Sequence, residues 1–220
     1  MSKQDIKNNN LSYRGFLRGN TLKLDKLFKK KFIINLTISL ILYLLAIVLA
    51  YLSSLYIKKN FVAPPIVQDL MWNILPNLKI IWVSEIFIIL TVIFTFLWAL
   101  KKDKDYIPYL ISLWALFQII RAGMIVLTPL GFPNHYSGLI PTGEESVFAF
   151  GAFPSGHLAY PILAYLITKM RIFILFSILV ILALLISRGH YSIDLIGTFL
   201  LSYPLYILAE KYIKKYFIEK

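Results

Sequence analysis

From Phe32 almost to the C-terminus, the chain alternates long apolar runs with short breaks rich in lysine, arginine and other polar residues. Apolar runs bounded by charge predict six helices: Phe32–Ile57, Ile80–Leu100, Tyr106–Leu130, His157–Met170 with some preceding residues, Ile172–Ser187 and Tyr191–Ala209. A helix needs about 20 apolar residues to cross the hydrocarbon core, with about 17 as a lower limit. The first three runs meet that length. The fourth meets it only if the apolar "SVFAFGAF" ahead of it extends the helix or forms a re-entrant piece. The pattern predicts an all-α, polytopic membrane protein with six transmembrane helices. It divides into a basic segment, 1–31, a six-helix membrane domain, 32–210, and a basic tail, 211–220.

Composition strengthens that picture. With 59% hydrophobic and 15% charged residues in 220, the chain is too apolar for a soluble domain of its size. It has no cysteine, which excludes disulfides, thiolate metal sites and cysteine nucleophiles. The polar N-terminal stretch lacks a short apolar segment followed by a small-residue cleavage site, so no removable signal peptide is expected.

The net charge of +12 raises the question of a nucleic-acid partner. The basic residues, however, flank the apolar runs, as they do where charge sets membrane topology, so no nucleic acid is expected. Within 1–31, Leu24, Leu27 and Phe28 sit among lysines, so a helix lying on anionic lipid competes with a plain solvated tail.

With the N-terminus in the cytoplasm, that side collects nine Lys/Arg before Phe32, then Lys101, Lys102, Lys104, Lys169, Arg171, Lys211, Lys214, Lys215 and Lys220. Outside the candidate site, the opposite side collects only Lys58, Lys59 and Lys79. The positive-inside rule and an even number of spans then put both termini in the cytoplasm.

The remaining polar residues fall at the other, non-cytoplasmic end. Glu85 is near the start of the second helix and Arg121 toward the end of the third. Pro154–His157 opens the fourth, and Arg188, His190 and Asp194 lie at the turn into the sixth. Ionisable groups in membrane segments are costly and mark function by default. Their convergence on one layer is the main argument for a site.

His190 and Asp194 are four residues apart at a helix N-terminus, so they share a face. The carboxylate can hold one imidazole nitrogen and leave the other as base or nucleophile. His157 follows Pro154, Ser155 and Gly156, whose sharp entry into a helix offers backbone N–H groups to an anion. Arg121 and Arg188 are permanent cations suited to gripping phosphate oxygens. Two histidines, a carboxylate, two arginines and a helix N-terminus make a phosphoryl-transfer set that needs neither metal nor cofactor. Plainer readings stand beside this one. His135 reads as a polar loop residue, Arg188 alone as a snorkelling anchor, and Glu85 as the structural partner of Arg121 in a buried ion pair.

Together, "PSGH" and the downstream "SRGHYSID" resemble the phosphatidic acid phosphatase type 2 superfamily. The phosphatases of that superfamily place five residues between the arginine and the histidine, whereas only Gly189 separates Arg188 from His190. The compact "GHYSIDL" is most similar to the sphingomyelin synthase branch. "RAGMIVLTPLGFP", "APPIVQDL" and "WVSEIFII" resemble further pieces of that branch in the same order, over about residues 64–202.

The resemblance implies a membrane-embedded lipid phosphotransferase that moves a phospho-headgroup from a phospholipid to a lipid alcohol of the ceramide or diacylglycerol type. His190 would be the nucleophile, Asp194 its orienting group and His157 the acid and base. Arg121, Arg188, Ser155 and Gly156 would hold the phosphate. The alternative is a lipid phosphate phosphatase of the type 2 kind, with water as acceptor. It ranks lower because the lysine of the phosphatase first motif is absent, and a monoester dianion needs more cationic help than a diester monoanion.

Overall fold

The computed structural model describes residues 3–61, 65–131, 136–137, 141–142 and 153–218, with side chains in 30–61, 65–131 and 153–218. Helices run over α1 (Lys3–Asn60), α2 (Met71–Ile74), α3 (Ile81–Lys102) and α4 (Tyr106–Leu127), then α5 (Gly156–Thr168), α6 (Ile172–Ile186) and α7 (Ser192–Leu208). A π turn, Ala209–Ile213, joins α7 to α8 (Lys214–Phe217). The strands β1 (Tyr136–Ser137) and β2 (Pro141–Thr142) pair antiparallel between α4 and α5, and all else that is regular among the described residues is helical.

Four stretches are long and apolar enough to cross a membrane: Lys30–Asn60 within α1, α3, α4, and Ser192–Phe217 through the π turn. The two remaining long elements are shorter than the sequence pattern suggested. α5 has 13 residues and α6 has 15, about 20 and 22 Å at 1.5 Å per residue. α5 stops because Lys169 adopts a left-handed conformation with φ 58°, which closes the helix and starts the turn into α6. Nearly all of "SVFAFGAF" lies outside the described residues.

The expected boundaries at both ends dissolve into helix. α1 passes through residue 31 without a break, and no Gly or Pro occurs between Asn20 and Phe61 to interrupt it. At the other end, the tail expected at 211–220 is helical as far as Phe217. Glu210 in the π turn accepts from Tyr109 Oη at 3.0 Å and from Lys214 Nζ at 2.7 Å. Phe217 is buried with its ring 6.4 Å from that of Tyr109.

The burial pattern is the one that lipid imposes. Ile33, Ile41, Leu44, Ile89, Leu97, Leu100 and Leu200 are exposed, whereas Ser39, Ser54, Ser84, Thr91, Thr95, Ser112, Thr198 and Ser202 are buried. Small polar residues allow helices to approach closely and bond across the interface. Ser39 Oγ lies 2.8 Å from both Pro108 O and Ser112 Oγ, and Ser53 Oγ donates to Ala122 O at 2.9 Å. These contacts dock α1 along α4. The core on the α4 side is built from Tyr109, Leu113, Trp114 and Phe117 of α4, Ala159 and Leu163 of α5, and Leu205 of α7. A second cluster joins Ile81, Leu158, Ile162, Val180, Leu184 and Leu195 from α3, α5, α6 and α7.

Gly197 on α7 makes room for the ring of Phe153: a Cβ there would overlap Phe153 Cε2 and Cζ. Gly197→Ala is therefore expected to destabilise the protein by about 1–3 kcal/mol through overpacking. Gly123, around which nothing lies within 4 Å of a built Cβ, should accept alanine without loss. Thermal unfolding of both variants in detergent checks the contrast.

Candidate active site

Two short segments carry the site, the entry to α5 and the turn from α6 into α7. At the first, Ser155 is the N-cap of α5, and its Oγ accepts from Leu158 N at 3.4 Å. The next residue, Gly156, makes a close approach to α4. A Cβ on Gly156 would stand 3.3 Å from Gln118 Nε2 and 3.4 Å from Arg121 Nε, so the start of α5 lies directly on α4. Arg121 is tied to the same segment, because its Nε donates to Pro154 O at 2.8 Å.

At the second segment, Arg188 terminates α6 in the left-handed region with φ 54°, a conformation that disfavours residues other than Gly, Asn and Asp. Two backbone bonds hold it there, Arg188 N to Leu185 O at 3.1 Å and Gly189 N to Leu184 O at 2.7 Å. The twist delivers the guanidinium to the segment before α3, where Nη2 donates to Trp72 O at 3.3 Å. Arg188 Nε is buried without a hydrogen-bond partner.

Asp194 organises the entry to α7. Its Oδ2 faces His190 Nδ1 at 3.0 Å and accepts from Tyr191 N at 2.9 Å, so one oxygen both orients the imidazole and caps the helix. Asp194 is 0% exposed and His190 2%, and a carboxylate buried to that degree is retained only where it is bonded. The spacing of four residues read in the sequence gives this contact directly.

The two segments are stitched together through the backbone of Ser155. Its N–H donates to Asp194 O at 3.2 Å, while its C=O accepts from Thr198 Oγ1 at 3.1 Å. Thr198 Oγ1 is also 2.7 Å from Asp194 O. As a result the His157 and His190 rings lie 5.8 Å apart between centroids, inclined at 68°. Ser155 was expected to bind phosphate. Its N–H bonds Asp194 O and its Oγ accepts from Leu158 N, which also positions the two histidines, and the amides at the very start of α5 are those of Gly156 and His157.

The remaining expected residues behave differently. Glu85 is half-buried on α3, a helix that packs mainly against α6 and α5. His135 lies outside the described residues. Among the described residues, no group of three or more His, Asp or Glu is arranged to hold a metal ion.

Several supporting residues were not singled out from the sequence. Asp69 accepts from Ser192 N and, at 2.8 Å, from Ser192 Oγ, and it also accepts from Met71 N at 2.9 Å. It thereby ties α2 to the first turn of α7, where an acidic group also suits the helix dipole. Tyr191 stacks on Trp72 with 5.0 Å between centroids and donates to Gly131 O at 2.8 Å. The signal for Asp69 was its place in "APPIVQDL", but neither spacing nor periodicity connects it to a residue more than a hundred positions away.

Comparison with protein-family models, with curated proteins and with solved structures finds no match for this chain.

Asp69→Ala should cost about 1–2 kcal/mol by removing a helix cap. In a cycle with Ser192→Ala, the two losses should overlap by about 0.5 kcal/mol or more, because the residues share bonds. Thermal denaturation of the two single variants and the double variant measures the overlap; strictly additive losses would mean that the contact contributes nothing.

Proposed function

We propose that this protein is a membrane-embedded lipid phosphotransferase that moves a phospho-headgroup from a phospholipid to a lipid alcohol through a phosphohistidine on His190. The observation that carries the reading is the paired-histidine geometry: His190 held through Nδ1 by Asp194 at 3.0 Å, with the His157 ring 5.8 Å from its own. That separation lets one phosphoryl group touch a nitrogen of each ring.

The chemistry follows from those positions. His190 attacks phosphorus through Nε2, the nitrogen opposite the Asp194 bond, and Asp194 stabilises the positive charge that develops on the ring. As the N–P bond forms, the bond from phosphorus to the lipid oxygen breaks, and protonated His157 transfers its proton to that oxygen. In the second half, the hydroxyl of the incoming lipid gives its proton to His157. Its oxygen takes the phosphoryl group and the N–P bond breaks, which restores both histidines. Arg121 and Arg188 bind the non-bridging oxygens, assisted by the N–H groups at the start of α5.

In this reading, α1, α3, α4, α5, α6 and α7 all cross the bilayer, with both termini cytoplasmic and the site at the outer end. α6, about 22 Å long, is shorter than the roughly 30 Å hydrocarbon core. The turn that carries His190 therefore sits below the outer surface. An acceptor that diffuses sideways within the bilayer reaches that depth more readily than bulk water does, which favours transfer over hydrolysis.

Three outcomes are expected. Purified protein given a phospholipid donor with ceramide or diacylglycerol should form a new phospholipid faster than it releases free phospho-headgroup; rapid release of phosphate from phosphatidic acid, with every lipid alcohol ignored, would make it a phosphatase instead. His190→Ala should abolish transfer and His157→Gln should slow it by about 10²–10⁴-fold, both assayed on protein that retains its thermal midpoint. With no native cysteine to interfere, a cysteine introduced at Ser137 should react with a membrane-impermeant maleimide from outside, and one at Lys104 only from the cytoplasm. The opposite labelling pattern would refute the orientation.

A further inference from the structure

One turn deeper than the histidines lies a second polar group that the proposed chemistry leaves unused. Tyr160 is three residues after His157 on α5, about 4.5 Å further along the helix axis. Its hydroxyl is 2.5 Å from that of Tyr43 on α1, and it also bonds the side chain of Gln118 on α4. Gln118 is itself one turn from Arg121 and reaches to within 3.3 Å of the Cβ position of Gly156. Trp114, another turn along α4, packs its ring against Tyr160 with 5.2 Å between centroids. Three helices thus bring four hydrogen-bonding side chains together inside the membrane-spanning region, immediately beneath the reacting groups.

Two features point to a ligand rather than to packing. First, the cluster is rich in donors, with two phenol O–H groups, two amide N–H bonds of Gln118 and one indole N–H. The last of these, Trp114 Nε1, is buried without a partner in a residue only 4% exposed. An unbonded donor at this depth is costly, and a molecule that only accepts hydrogen bonds would satisfy it. Second, Tyr43, Tyr160 and Gln118 are half-buried rather than sealed, so a lipid can reach them.

We propose that Tyr43, Tyr160, Gln118 and Trp114 form a subsite for the acyl-linkage carbonyl of the lipid, whether an ester or an amide. They would grip it a few bonds from the oxygen that leaves or attacks phosphorus beside His157. The donor's departing lipid and the incoming acceptor use the subsite in turn. It sets selectivity for acyl lipids and positions the reacting oxygen without touching phosphorus. The inference rests on the proposed transfer reaction for its kinetic consequence, but not for the binding event itself.

Diacyl lipids and their dialkyl-ether counterparts provide the test, since they differ in those carbonyls alone. With full-length protein in lipid nanodiscs, initial transfer from a diacyl phospholipid should exceed that from its dialkyl-ether analogue about tenfold, the scale of one well-placed hydrogen bond. Tyr160→Phe and, independently, Gln118→Leu should slow the diacyl reaction to the ether rate and leave the ether rate unchanged. Equal slowing of both lipids, or no diacyl preference in the unmodified protein, would overturn the proposal.

A binding measurement separates this subsite from the transfer reaction. A photoreactive diacyl phospholipid should label peptides of α1, α4 or α5, and unlabelled diacyl lipid should displace it better than ether lipid does. Tyr160→Phe should erase that difference. Labelling with this pattern in a protein that transfers nothing would refute the phosphotransferase and leave the subsite standing. Displacement that is indifferent to the carbonyl would refute the subsite.

Discussion

The arrangement of the site depends on the backbone of a single residue. Ser155 donates its backbone N–H to Asp194 O and accepts at its C=O from Thr198, so the entry of α5 is fastened to the first turn of α7. A backbone group inside a membrane protein has no water to fall back on, and each must find a partner within the protein. Satisfying Ser155 therefore fixes the relative placement of two helices, and with it the separation of His157 from His190. The same first turn of α7 is capped from within by Asp194 and from the segment before α3 by Asp69. Nothing in this fastening depends on the surface.

Lipid as solvent explains why the rest of the molecule has its shape. Leucine and isoleucine gain little by leaving lipid for protein, so they cover the exterior, and contacts between helices fall to small and polar residues. Serine and threonine side chains return to carbonyls one turn back, as Thr91 does to Phe87 O and Ser177 to Phe173 O. In that state these two hydroxyls stay in the interior with their hydrogen bonds made. The α1–α4 pair, joined by Ser39, Ser112 and Ser53, is the clearest case.

The legible parts of this architecture were those with a period or a fixed spacing. Apolar runs located α3, α4, α6 and α7 to within three residues at each end, because lipid-facing helices must be apolar over their length. The four-residue spacing put His190 and Asp194 within reach, and the contact forms across the N-cap of α7, with His190 just ahead of the helix and Asp194 in its first turn. Polar breaks at matching ends of the predicted helices placed Arg121, Pro154–His157 and the α6–α7 turn in one expected layer, and the Arg121–Pro154 and Ser155–Asp194 bonds join them. Sequence could not show which groups meet inside that layer. The bond from the Ser155 N–H to a carbonyl on α7 is one such meeting. Asp69 and Thr198 escaped notice because their partners are distant in the chain and their residue types are ordinary. At the termini, charge suggested boundaries that helix propensity ignores, as at residue 31 within α1 and beyond residue 210.

The buried polar atoms left without partners extend the same reasoning to the interior. Among the described residues these are Trp72 Nε1, Arg188 Nε, Asp194 Oδ1, Trp114 Nε1 and Ser202 Oγ. The first three belong to residues linked to one another: Arg188 bonds the Trp72 carbonyl, Trp72 stacks on Tyr191, and Tyr191 donates to Asp194. Each unsatisfied buried group costs about 1–3 kcal/mol, and a fold selected only for stability would scatter or eliminate them. Their concentration around one turn, beside an arginine held in a left-handed conformation, means that stability is sacrificed locally where the backbone is already most constrained. Folds commonly hold strain of this kind at functional sites, where the surrounding structure over-determines the geometry. Here the over-determination comes from the caps of α7 and from the two backbone bonds of Ser155, which together hold the histidines, the arginine and the carboxylate in place.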